Sequence, residues 1–188
     1  VRDDVVKGHL LDELRFARGA LVWKLDGLSE YDVRRPLTST GTNLLGLVKH
    51  VATWEARYLG EVFGRPFPGP LPRWQDADGS DLWVTPGETR EQVLDLHRRA
   101  AAHAEATVGE LPLDARGRVP WWPRPDVDLF AVVVHVLADT TRHAGHADIL
   151  REQLDGRTGE AAAYERPVDA AEREARWAAI EAAARAAS

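Results

Sequence analysis

Asp139-Thr-Thr-Arg-His143-Ala-Gly-His146-Ala-Asp148 closes a long apolar run, and its reading decides how the rest of the chain is understood. At 3.6 residues per turn, positions 139, 143 and 146 fall within about 60° of one another on a helix. One carboxylate and two imidazoles therefore share a face. Leu129, Val132, Val133, Val136 and Leu137 precede them, and Ile149 and Leu150 follow, so this face is expected to look into the protein. Polar groups in such a place must be paired or must coordinate something, and a metal ion is the simplest partner for this set.

Outward from that helix, three more amphipathic segments stand out. The first runs from about Asp4 to Leu28, with Val6, Leu10, Leu14, Ala17, Leu21 and Leu25 at helical spacing and Gly27 near its end. The second takes Thr42 or Asn43 as N-cap and carries Leu44, Leu47, Val51, Trp54, Tyr58 and Val62 to Gly64. The third is expected to open on Thr85-Pro-Gly-Glu88 as a capping box and to carry Val93, Leu94, Leu96, Ala100 and Ala104. The segment bearing the opening motif begins near Asp126 or Asp128 and stops at Gly156. An Ala-rich fifth helix follows Pro167, with Trp177 and Ile180 as its large apolar residues. Strand signals are almost absent. The expected fold is all-α: a four-helix bundle with an extra C-terminal helix, in which facing helices can build a metal site from their side chains. Residues 1–160 would form the metal-binding bundle and 161–188 a helical extension. The connections at roughly 64–85 and 111–126 are long for a bundle and hold Trp74, Trp83, Trp121 and Trp122, either as pocket walls or as covers for one end.

Composition narrows the chemistry. The 188 residues are 44% hydrophobic and 29% charged, values of a soluble globular chain. The net charge of −6, with scattered Lys and Arg, argues against a nucleic-acid partner. No run is long enough to span a bilayer and no signal-peptide pattern opens the sequence, so a cytoplasmic location without a membrane partner is expected. Cysteine is absent, which excludes disulfides, thiolate ligands and a cysteine nucleophile. Any metal is held by nitrogen and oxygen, and any thiol is brought from outside.

Seven histidines compete for a role. His9, His97 and His103 lie among charged neighbours and read as surface groups. His135, one turn before Asp139, reads as a core histidine with its own partner. His50 is different, because it sits on a stripe with Asn43, Leu47, Trp54 and Arg57. Alone it would read as a hydrogen-bonded core residue. Together with Asp139 and His143 it supplies a third ligand from a second helix. Two imidazoles and a carboxylate suit Zn²⁺ first, and also Fe²⁺, Mn²⁺ or Ni²⁺, and three protein ligands leave an open position of the catalytic kind. Glu55 and Glu61 read as surface carboxylates in helix ion pairs. Metalloprotease, phosphate-loop, nucleophile-elbow and dithiol motifs are missing.

Two stretches carry a family likeness: Gly41-Thr-Asn-Leu-Leu-Gly-Leu-Val-Lys-His50-Val-Ala-Thr-Trp-Glu55 and Thr141-Arg-His-Ala-Gly-His-Ala-Asp-Ile-Leu-Arg-Glu-Gln-Leu-Asp-Gly-Arg-Thr-Gly159. With Leu21-Val-Trp-Lys-Leu-Asp-Gly-Leu-Ser29 they resemble the DinB-like superfamily, in its actinobacterial branch related to mycothiol-dependent maleylpyruvate isomerase. The likeness spans roughly residues 9–160. It implies a four-helix bundle around a divalent metal, with His50 as first ligand and His143 as last. Asp139 stands at the middle position, which is His in much of the superfamily and Glu in this branch. One methylene shorter than Glu, it binds after a small helix shift, binds through water, or yields its place to His146. His146 stands where the wider superfamily has Gln and this branch has His, and the resemblance implies a group that either supports the ligands or faces the substrate, placed as the catalytic, proton-relaying residue. Relatives activate a low-molecular-weight thiol, mycothiol or bacillithiol, for S-transfer or isomerisation of a small-molecule substrate, and they often form homodimers. Two rival readings share the same residues: a hydrolase using metal-activated water, and a stress-related metal-binding bundle without turnover.

Overall fold

The computed structural model of the protein describes residues 2–71, 79–165 and 169–187. Among them are six α-helices: α1 (Arg2–Trp23), α2 (Glu30–Arg34), α3 (Leu44–Tyr58), α4 (Arg90–Glu110), α5 (Leu129–Asp155) and α6 (Ala170–Ala186). The architecture is the expected all-α bundle. α3 packs on α4 and α5, and α1 packs on α5 and α4, so these four helices close a ring. α1 and α5 run in the same direction. Leu14 lies in one apolar cluster with Val132, Val133 and Val136, while Leu21 and Leu25 lie in a second with Ala144, Ala147 and Leu150.

Helix ends follow local chemistry. The Asn43 side chain accepts from the Gly46 N–H and fixes the start of α3, and the Asp128 side chain accepts from the Ala131 N–H at the start of α5. Gly156, at φ 76°, closes α5 in the left-handed conformation that a residue without Cβ adopts freely. The third long helix starts later than Thr85-Pro-Gly-Glu88 implies. That tetrapeptide does form a box-like turn, with the Thr85 N–H donating to Glu88 at 2.8 Å. A second box, Thr89 with Gln92, then starts α4 at Arg90. Lys49 pulls the Glu88 carboxylate toward α3 (2.8 Å), which separates the first box from the helix.

Three further differences matter. The short α2, capped by Ser29, has too few residues to show a period. A two-stranded antiparallel ribbon, β1 (Arg116–Arg118) with β2 (Asp126–Asp128), pairs Gly117 with Val127. Arg-Gly-Arg and Asp-Val-Asp carry no apolar alternation, so the ribbon is held by pairing and by the Arg118–Asp126 bridge at 2.7 Å. Finally, Ile149 is exposed, so the apolar flank of the opening motif is narrower than its sequence implies. Trp177 and Ile180 are exposed on α6. Pro167 and Trp74 lie outside the described residues.

Candidate metal centre

His50 projects from α3, and Asp139 and His143 project from successive turns of α5. One nitrogen or oxygen from each lies within 4.8 Å of the other two. His143 Nε2 is 3.6 Å from Asp139 Oδ1, and the His50 and His143 rings meet edge to face at 4.7 Å between centroids. Ligands of a tetrahedral Zn²⁺ stand about 2.0–2.2 Å from the ion and so roughly 3.4 Å apart, a spacing that small side-chain rotations reach from here. The side chain of Asp139, despite its short reach, belongs to this group.

His50 is oriented by a residue that sequence reasoning missed. Asp81 Oδ2 lies 2.7 Å from His50 Nδ1 and accepts from Trp54 Nε1 at 2.8 Å. A carboxylate on one ring nitrogen fixes the tautomer and leaves the other, Nε2, as the lone-pair donor, the usual arrangement of a ligating histidine. Asp81 belongs to no periodic segment, so only its place just before Leu82-Trp83 in a long Trp-bearing loop marked it. Three contacts hold that loop on α3. Asn43 Nδ2 donates to Leu82 O (3.3 Å) and Lys49 Nζ donates to Trp83 O (3.0 Å). Gly46 supplies the third, since a Cβ there would sit 2.0 Å from the Leu82 carbonyl oxygen.

Electrostatics suit a cation. Burial lowers the His50 imidazole, and the hydrogen bond to Asp81 only partly restores it, so the ring is neutral near pH 7. Burial raises the Asp139 carboxyl, but the close approach of His143, with the His50 and His135 imidazoles, outweighs it and holds the group below its ordinary value. A neutral imidazole and a carboxylate are the protonation states a metal needs. All three residues are half-buried, so the group lies at the wall of the bundle and not deep in its core.

His146 is exposed and stands apart from the three. Its Nδ1 is 3.4 Å from His143 Nδ1, and the two rings open onto a cavity of about 460 Å³ shared with Thr40, Thr42, Leu47, Leu82 and Trp83. Trp121 and Trp122, from the other long connection, pack on Tyr58, and His135 lies between Tyr58 and Trp122. His9 is exposed, and His103 is half-buried with Nε2 2.8 Å from the Arg65 carbonyl.

Two surface assignments are corrected. His97 is buried, with its Nε2 unpartnered, because α4 turns that position toward α1 and its charged neighbours lie on the opposite side. Glu55 is fully buried against Arg18, which also reaches Glu105 at 2.9 Å. Its pairing is thus between helices. Burial raises the Glu55 carboxyl despite the Arg18 charge. Glu61 does form the expected pair along the chain, at 3.4 Å from Arg57.

Among the described residues, no helix is long and apolar enough to cross a membrane. No curated protein matches the chain at a significant level. A model of the mycothiol-S-transferase family, however, matches residues 9–156, a span that takes in His50, Asp81, Asp139, His143 and His146. With an all-α bundle in place and a His/Asp/His group able to take a metal ion, the chain belongs to the mycothiol-S-transferase family, a DinB-like family related to mycothiol enzymes.

Proposed function

We propose that this protein is a metal-dependent S-transferase that joins a low-molecular-weight thiol, mycothiol, to a small electrophile. The observation that carries the reading is the convergence of His50, Asp139 and His143 within 4.8 Å in a chain without cysteine. His50 Nε2, an Asp139 oxygen and His143 Nε2 would hold the ion. We assign zinc, and the same donors accept nickel, iron or manganese. The chemistry such a cation supplies is loss of the thiol proton near neutral pH, which makes sulfur the nucleophile the protein itself lacks.

The chain's own residues do the rest. Asp81 keeps the hydrogen of His50 on Nδ1. With its Nε2 given to the ion, His143 would carry its hydrogen on Nδ1, which lies 3.4 Å from His146 Nδ1. His146, on the cavity side of His143, is placed to donate to charge that develops on a leaving group in the cavity. The carbon–sulfur bond forms as the carbon–leaving-group bond breaks. The leaving group keeps the electron pair, and the thiol proton passes to water.

The test is metal analysis of the purified protein, followed by incubation of zinc-loaded protein with mycothiol and monochlorobimane. A fluorescent conjugate should form, His50→Ala should lose both metal and conjugate, and His146→Ala should keep metal and lose about 100-fold in turnover. Metal-loaded protein that forms no conjugate with any thiol, or a His50→Ala variant as active as the parent, would refute the assignment.

A further inference from the structure

On the side of the triad away from His146, five rings form a continuous array. Trp54 lies one turn beyond His50 on α3, with 6.2 Å between their centroids. It packs on Tyr58 at 5.7 Å and on Trp121 at 5.9 Å. Trp122 packs on Tyr58 at 5.7 Å, and His135, one turn before Asp139 on α5, meets Tyr58 at 4.9 Å and Trp122 at 4.6 Å. Trp54, Trp121, Trp122 and His135 are all half-buried, so each keeps some surface for a ligand.

The polar atoms of this array are spent internally. Trp121 Nε1 and Trp122 Nε1 both point at the Tyr58 hydroxyl, at 3.3 Å each, and Trp54 Nε1 is given to Asp81. What the indoles offer a visitor is therefore ring face and apolar edge. One polar handle remains, since neither ring nitrogen of His135 has a hydrogen-bond partner among the described residues. Aromatic faces also attract cations, but the Arg57 guanidinium already lies 5.9 Å from the Trp54 ring centroid, and it and a divalent ion at the neighbouring triad would repel a further positive charge. A flat neutral group avoids that repulsion and gains stacking contact.

We propose that Trp54, Tyr58, Trp121, Trp122 and His135 form the electrophile subsite, and that it selects a flat, uncharged aryl or conjugated electrophile with one hydrogen-bonding substituent for His135. This rests on the S-transfer reading and adds the substrate class to it. The array lies against the metal ligands on one side while the cavity of His143 and His146 opens on the other, so the electrophile's ring would rest on the array with its departing group directed across the centre toward His146. In the reaction, sulfur bonds to the electrophilic carbon: in a substitution the departing group leaves with its electron pair and the thiol proton goes to solvent, and in an addition to a conjugated acceptor the displaced π pair takes up a proton at the carbon beside the activating group.

Two measurements on zinc-loaded full-length protein test this separately from turnover. Binding of 2-naphthol, which is flat, neutral and unreactive toward thiols, should be saturable by calorimetry. It should weaken about tenfold in Trp122→Ala and return in Trp122→Phe, which keeps a ring face. With mycothiol, kcat/KM for a benzylic halide should exceed that for iodoacetamide, and Trp122→Ala should erase the preference while zinc content stays at the parent level. Naphthol binding with the expected Trp122 dependence, but no conjugate from any electrophile, would sustain the subsite and reject S-transfer. Conjugates formed without aryl preference, or naphthol binding that is absent or indifferent to Trp122, would overturn the subsite and leave S-transfer standing.

Discussion

A histidine can offer a metal either ring nitrogen, and on His50 the choice falls to Asp81, whose Oδ2 sits 2.7 Å from Nδ1. Replacing Asp81 by Ala frees the ring to rotate and to place its hydrogen on Nε2, where it would block coordination. Zinc affinity measured against a chromophoric chelator should fall by about 10–100-fold, and Asp81→Asn, which keeps an acceptor, should fall less. Unchanged affinity in both variants would mean that Asp81 does not govern the ligand. A second residue makes a prediction of opposite character. Burial, with help from the charges of Arg18 and Arg98, lowers the His97 pKa to about 4, against about 6.5 in an unfolded chain. Between those values the unfolded state binds the extra proton, so this group costs stability as pH falls from about 6.5 to about 4, up to roughly 3 kcal/mol. His97→Leu removes the titration. Urea unfolding should show that variant gaining on the parent by about that amount between pH 7 and pH 4, and parallel pH profiles for the two proteins would contradict it. The burial of His97 was not legible because Arg98, Arg99 and Asp95 beside it read as solvent, whereas of these four positions the helix buries only 97.

At the scale of elements, α3 and the loop before α4 work as a single part. Asn43, Gly46, Lys49 and His50 occupy one short stretch, and three of them hold the loop that brings Asp81 to the fourth. Gly46 is the sharpest test. In a free helix, Ala is favoured over Gly by about 1 kcal/mol. Here the added Cβ would stand 2.0 Å from Leu82 O and 2.8 Å from the Leu82 carbonyl carbon, a backbone that cannot swing aside as a side-chain tip can. Gly46→Ala should therefore lower the melting temperature and weaken zinc binding through loss of Asp81. Combined with Asp81→Ala it should add little to the metal defect, because both act through one contact. Additive losses in the double variant would separate the loop from the site. The helix that carries His50 was legible from the apolar stripe around it. The loop was not, because its register on α3 comes from a missing side chain and two carbonyl contacts, none of which leaves a periodic trace. Thr85-Pro-Gly-Glu88 shows the same limit. Its hydrogen bonds were readable, but Lys49, distant in sequence, decided that a second box would start α4.

Across the whole molecule, four helical stripes were enough to read the bundle and an i, i+4 pair to set Asp139 and His143 on one face, since both follow from the 3.6-residue period, whereas the meeting of His50 with them depends on which helices pack together. Charges crossing the core were hidden, because Arg18 and Glu55 look solvated until α1 and α3 are brought together. Tertiary contacts also tie the segment after α5 to the bundle. Lys24, fully buried, donates to the Gly159 carbonyl and pairs with Asp148 at 2.6 Å. The Arg157 guanidinium lies 5.1 Å from the Trp23 ring centroid and pairs with Glu165 at 2.6 Å. We propose from these contacts that the bundle ends near residue 165, a few residues beyond the 160 expected from sequence, with α6 as the extension. α6 keeps Trp177 66% and Ile180 61% exposed, so its removal uncovers little core. A chain ending at 165 should keep the zinc content of the full-length protein and a melting temperature within about 2–4 °C of it, the shift that ~1 kcal/mol produces in a domain of this size. A chain ending at 156 leaves buried Lys24 without the Gly159 carbonyl and strips Arg157 from Trp23. Its melting temperature should drop well beyond that window, as expected when a buried charge loses a partner. Equal stability of the two truncations would show that the 157–165 segment holds nothing in place. A marked loss on removing α6 alone would make that helix part of the folded unit, despite its exposed tryptophan.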